Sequence, residues 1–188
     1  MIVAEQRTRP AGTVNRQPVS LETFRQRYLE KKTYKYEWTQ GWIEKRPYMK
    51  PEERYIIDNI IRKHTATKDF QQGNSIMAEA DCYFSALETY RRPDAAYLSR
   101  QQIRHPEAAD EALVVEISSP SNTDLTNKKK ILEYLEAGVR MVWYVYPQLQ
   151  QVWIHTSPTQ VTICQEGDEC VADPVVPGLR ITVQDLFA

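Results

Sequence analysis

The chain contains no run of about 18 apolar residues, the length a membrane-spanning helix needs. Its beginning has no apolar core of a secretory signal. No charge sign dominates either, with 24 Lys and Arg against 25 Asp and Glu and a formal net charge of −1. The strongly basic total common among nucleic-acid-binding proteins is therefore absent, although a local basic patch fits inside a neutral total. Cysteine is scarce and odd in number: Cys82, Cys164 and Cys170, with no CxxC pair. That usage fits reduced thiols in a cytoplasmic protein, with a Cys164–Cys170 pair open only if two strand ends meet. His64, His105 and His155 lie far apart, without the spacing of zinc ligands. No internal repeat is visible.

What is present is ordinary for a globular chain: 188 residues, 41% apolar and 26% charged, enough for one domain with a sizeable core. Residues 1–19 are polar and without apolar periodicity, so a flexible N-terminal arm is expected there, followed by a single domain over 20–188. Ser20 reads as an N-cap for a helix over 21–31. Gln40-Gly41 joins two strand-like runs in a hairpin. Pro51 opens a second helix, with Tyr55, Ile56, Ile60 and Ile61 as its apolar stripe. Strands are expected over 77–85, 95–99, 112–118, 141–146, 151–156 and 160–165. A helix over 124–137 interrupts them, with Gly138 at its C-terminal cap. The tail from Pro177 to Phe187 reads as a strand and a short helical turn. The sum is an α/β or α+β domain around a central sheet.

The chemistry concentrates between Arg91 and Gly138. Pro93 rigidly positions Asp94 at a strand edge, where its carboxylate can face a cleft; a plain turn aspartate is the alternative. In Leu113–Ser118, alternation puts Leu113, Val115 and Ile117 on one face and Val114, Glu116 and Ser118 on the other. Glu116 is a carboxylate in an otherwise apolar strand. Either a metal or cation compensates it, or the strand is an edge with Glu116 in water. Lys128, Lys129 and Lys130 follow on the next helix. Lys129 faces Glu133 at ion-pair spacing, whereas Lys130 lies beside Tyr134 at the border of the buried face and can extend its ammonium into a cleft. Two carboxylates from neighbouring strands are ligands suited to Mg²⁺, and a lysine beside them can stabilise charge in a phosphoryl transition state. This is equipment for phosphodiester hydrolysis.

Several stretches carry a family likeness: Tyr36-Glu37 with Gly41 and Glu44, Arg91-Arg92-Pro93-Asp94, and Val115-Glu116-Ile117-Ser118-Ser119-Pro120-Ser121. Further on come Lys130 to Val139, Pro177-Gly178-Leu179 and Asp185-Leu186-Phe187. In their order and spacing the chain, from about Ser20 onward, resembles the Uma-type family of restriction-endonuclease-like proteins within the PD-(D/E)xK nuclease superfamily. The resemblance implies a restriction-endonuclease-like mixed central β-sheet flanked by helices, a Mg²⁺ cofactor with Mn²⁺ as an alternative, and DNA as substrate. It makes Asp94 the motif aspartate and Glu116 the following acid. The motif lysine position is Ser118 here, so its role passes to Lys130 on the helix. Glu37 falls at the N-terminal acidic position and would touch the metal through water. Where the family often has a histidine on its second helix, Arg54 and Tyr55 stand here. Two-strand cleavage leads us to expect a homodimer. The competing expectations are a non-catalytic nucleic-acid-binding domain and a partner-binding module on the same fold.

Overall fold

The computed structural model describes residues 12–31, 33–105, 112–118 and 124–188. Most of the expected arm, residues 1–11, and the segment 119–123 lie outside them. The described strands are β1 (Lys35–Thr39), β2 (Trp42–Arg46), β3 (Ser75–Ala78), β4 (Cys82–Phe84), β5 (Thr89–Arg91) and β6 (Ala95–Leu98). They continue with β7 (Leu113–Ile117), β8 (Met141–Tyr146), β9 (Gln151–Ser157), β10 (Gln160–Cys164), β11 (Glu169–Val171) and β12 (Arg180–Thr182). The helices are α1 (Leu21–Tyr28), α2 (Pro51–Thr65), α3 (Lys68–Gln71), α4 (Arg100–Arg104), α5 (Asp124–Glu136) and α6 (Val183–Leu186).

The strands form two main sheets and a ribbon. One sheet has the order β2-β1-β5-β4, the other β10-β9-β8-β7-β6-β3, and β11 pairs with β12. In the six-stranded sheet β7 and β8 run parallel while their outer neighbours pair antiparallel, so the sheet is mixed. A parallel pair needs a crossover, and α5 supplies it. The crossover helix must cover one face of the sheet, and there Ile131 and Tyr134 pack on Val114, Val142 and Tyr144. The opposite face buries Leu113, Val115, Ile117 and Trp143 against Ile56, Ile57 and Ile60 of α2. Burying each such side chain contributes roughly 1.5–3 kcal/mol. Among the described residues no helix is long and apolar enough to cross a membrane.

Local chemistry fixes the elements. The Ser20 hydroxyl accepts the Thr23 N–H at 3.1 Å and starts α1. The Glu53 carboxylate accepts the Lys50 N–H at 3.1 Å at the start of α2, just inside which Pro51 sits. Gly138 ends α5 at φ +99°, with Gly138 N–H donating to Leu135 O and Val139 N–H to Tyr134 O. This is a Schellman stop that only a left-handed residue allows, and it turns the chain directly into β8.

Two expectations need correcting. The strand expected over 77–85 is two strands in different sheets, because Glu79 at φ +50° breaks the extended run. The expected hairpin forms, and it builds the smaller sheet with β5, a three-residue strand too short to read from sequence. Residues 13–19, expected within the flexible arm, run along the hairpin instead. Val14 N–H donates to Ile43 O at 2.8 Å, Ile43 N–H to Asn15 Oδ1 at 2.9 Å and Val19 N–H to Gly41 O at 2.9 Å. A Cβ on Gly41 would lie 2.8 Å from Pro18 Cβ, so glycine serves both the turn and this close approach. Asn15 and Thr13 bond through polar groups, which apolar periodicity does not register.

Candidate active site

Beyond α2 the chain crosses between the two sheets twice, at Glu79 between β3 and β4 and at Arg92–Asp94 between β5 and β6. The crossings are tied by Glu79 N–H donating to Asp94 O at 2.9 Å. The β6–β7 register pairs Ala95 with Val115 and Ala96 with Val114. Continued by one residue, it sets Asp94 opposite Glu116. The Ile117 N–H donates to Asp94 Oδ2 at 2.9 Å and locks that placement. Both carboxylates therefore leave neighbouring strands on the α5 side. β7 lies between β6 and β8, and Glu116 is buried, so the solvent-facing edge strand is excluded.

From α5, Lys130 Nζ reaches Glu116 Oε1 at 2.8 Å and Glu37 Oε1 at 3.5 Å. The Tyr134 hydroxyl donates to the same Glu116 oxygen at 2.6 Å. Glu37 comes from the other sheet and is fully buried. The β1–β5 register brings Arg91 opposite it: Arg91 Nη1 donates to Glu37 Oε2 at 3.0 Å, and the Arg92 N–H to Oε1 at 3.3 Å. Arg91 also grips Glu133 of α5 at 2.7 and 2.8 Å. Glu133 thus serves Arg91, which replaces the expected surface pair with Lys129.

Burial acts against the ionised forms of Glu37, Glu116 and Lys130, and its balance with the neighbouring charges differs among them. Burial would raise Glu37, yet Lys130, Arg91, Arg46 and Lys35 hold its carboxyl down at about 2. For Glu116 burial prevails and raises it, against the opposing pull of Lys130. Burial would lower the Lys130 ammonium, but Glu116 and Glu37 raise it above its ordinary value.

A cavity of about 220 Å³ opens onto these groups, with Lys35, Glu37, Asp94, Glu116 and Lys130 in its wall and Lys45, Arg46 and Tyr48 also lining it. Asp94 and Glu116 offer hard oxygen donors beside space for several waters, a partial ligand set of the kind Mg²⁺ takes. Glu37 fits that role poorly, because cations and the Arg92 N–H already hold both of its oxygens. Among the described residues no three His, Cys, Asp or Glu side chains gather closely enough to hold a metal ion. Arg54 and Tyr55 do not line the cavity, whereas Glu53 does. Sequence reasoning missed Lys35, whose ammonium meets Asp94 Oδ1 at 2.8 Å, and gave no role to Arg91. Lys35 and Glu37 alternate on one face of β1, a signal visible once that strand is known to border the site.

The fold is shared with a solved structure from Anabaena variabilis described as a "putative nuclease belonging to DUF820". The two are 22% identical with a TM-score of 0.73, over 90% of this chain and 98% of that one. No curated protein matches the chain. Residues 21–184 match the Uma2 family, described as "Putative restriction endonuclease", and the chain belongs to that family.

Proposed function

We propose that the protein is a metal-dependent endodeoxyribonuclease of the PD-(D/E)xK type, hydrolysing DNA phosphodiester bonds in the cleft of Asp94, Glu116 and Lys130. One observation carries the reading: two buried carboxylates from adjacent strands face one cavity, with a lysine ammonium 2.8 Å from the second. The family description and that of the Anabaena protein point the same way.

A bound Mg²⁺ or Mn²⁺ would supply an acidified water and offset phosphate charge. Asp94 and Glu116 are the side chains that would hold it. Lys130 provides a point charge for the reacting phosphate, worth most where negative charge builds up in the transition state. Glu37 and Tyr134 are positioning residues: one draws the ammonium from the hairpin side, the other fixes the Glu116 oxygen that Lys130 meets. Lys45 and Arg46 beside the cavity suit the flanking phosphates.

Cutting a duplex takes two sites, so a two-fold homodimer belongs to this reading. The exposed Val161 and Ile163 on edge strand β10 offer it an apolar contact. Incubating the protein with supercoiled, linear and single-stranded DNA under Mg²⁺, Mn²⁺ or chelator tests the function. Metal-dependent cleavage supports it, and DNA binding without cleavage under any metal would leave a non-catalytic binding domain.

A further inference from the structure

Lys35 is the buried cation of the cleft to which the proposed reaction gives no part. Its ammonium sits 2.8 Å from Asp94 Oδ1 and 3.7 Å from Glu79 Oε1. Its own side chain is only 7% exposed, whereas that of Glu79 is 26% exposed. Glu79 is held in place: its Oε1 accepts the Met49 N–H at 3.0 Å and its backbone adopts φ +50° at the sheet crossing. Lys35 thus stands between two acids, one inside the cleft and one at its margin. Lys130 differs, being held between Glu116 and Glu37, both buried.

We infer that Lys35 is a resident counter-cation that competes with the divalent ion for Asp94, and that Glu79 receives its ammonium when Asp94 is given up. The inference rests on the metal-dependent reading above. The Ile117 N–H holds Asp94 Oδ2, so an arriving dication and the Lys35 ammonium contend for Oδ1 and repel one another there, whereas Lys130 and Tyr134 both meet Oε1 of Glu116. The affinity measured for the ion then falls by the fraction of molecules in which Asp94 is free. The shift toward Glu79 is within reach of the flexible lysine stem and needs no backbone change. Such a device keeps three buried acids from repelling one another when no dication is bound.

The two partners give opposite signs. Titration of free Mn²⁺ by electron paramagnetic resonance reads affinity without any cleavage. Lys35→Gln is expected to bind Mn²⁺ about tenfold more tightly than the wild type. Glu79→Gln is expected to bind it several-fold more weakly, because the ammonium then has no second carboxylate. A purely structural role for Lys35 would instead weaken binding in both. Unchanged or weaker affinity in Lys35→Gln overturns the inference. If that variant does not fold, unchanged or tighter affinity in Glu79→Gln overturns it. If the wild type binds no Mn²⁺ and cleaves no DNA, the nuclease reading fails. Binding that appears only in Lys35→Gln would then still support the competition, and binding in neither would end it.

Discussion

Tyr134 donates its hydroxyl to Glu116 Oε1 at 2.6 Å, the oxygen that Lys130, one helical turn earlier, meets at 2.8 Å. Two donors from one helix therefore converge on one buried acid. Tyr134→Phe keeps the ring and its contact with Phe84 but removes one charge-assisted bond. The expected loss is roughly 1.5–3 kcal/mol, read by urea denaturation. An unchanged midpoint would mean that the bond contributes nothing.

Lys130→Ala removes the ammonium from two buried carboxylates at once. Breaking such a pair typically costs roughly 3–5 kcal/mol, so the variant should be less stable as well as inactive in cleavage. Lys129 is exposed, and Glu133 is held by Arg91. Lys129→Ala should stay within about 0.5 kcal/mol and keep its activity. Equal loss of activity in both variants would contradict the role given to Lys130.

Glu37 sets an acid limit on stability. Its carboxyl is lowered from an ordinary 4.5 to about 2, with burial opposing and Lys130 and Arg91 prevailing. A lowered folded pKa stabilises fully above the unfolded value, and that stabilisation is lost as pH falls through the folded one. The contribution should therefore be complete above about 4.5 and disappear toward about 2. Glu37→Gln should be less stable at neutral pH and show a flatter decline across that window, followed by circular dichroism. A mutant decline as steep as the wild type's would count against this.

Arg91 joins the two halves of the site, linking Glu37 on the hairpin sheet to Glu133 on α5. Lys in its place cannot reproduce the forked grip on Glu133. Arg91→Lys should lower stability by roughly 1–3 kcal/mol and reduce cleavage through a looser Lys130. Stability and rate both at wild-type level would show that the link is dispensable.

Much of this architecture is legible from local pattern. The alternation in Leu113–Ile117 gives the two faces of β7, Gly138 gives the end of α5, and the border position of Lys130 gives its direction into the cleft. Asp94 and Glu116 are singled out by a proline and by one acid in an apolar run, and both line the same cavity. What stays hidden depends on pairing between distant segments. β5 is three residues long, yet it carries Arg91 to Glu37 and makes the hairpin a sheet of its own. Lys35 looks like any lysine at a strand start until Asp94 is seen 2.8 Å away. Residues 13–19 dock through backbone and asparagine hydrogen bonds, which leave no hydrophobic period.

Cleavage of supercoiled plasmid tests the central claim most directly, comparing wild type with Asp94→Ala and Glu116→Ala in Mg²⁺, Mn²⁺ and chelator. The account predicts nicking or linearisation by the wild type with either metal, none with chelator, and a loss of at least about a hundredfold in each folded variant. Cleavage that persists in both variants, or that proceeds equally in chelator, would contradict it.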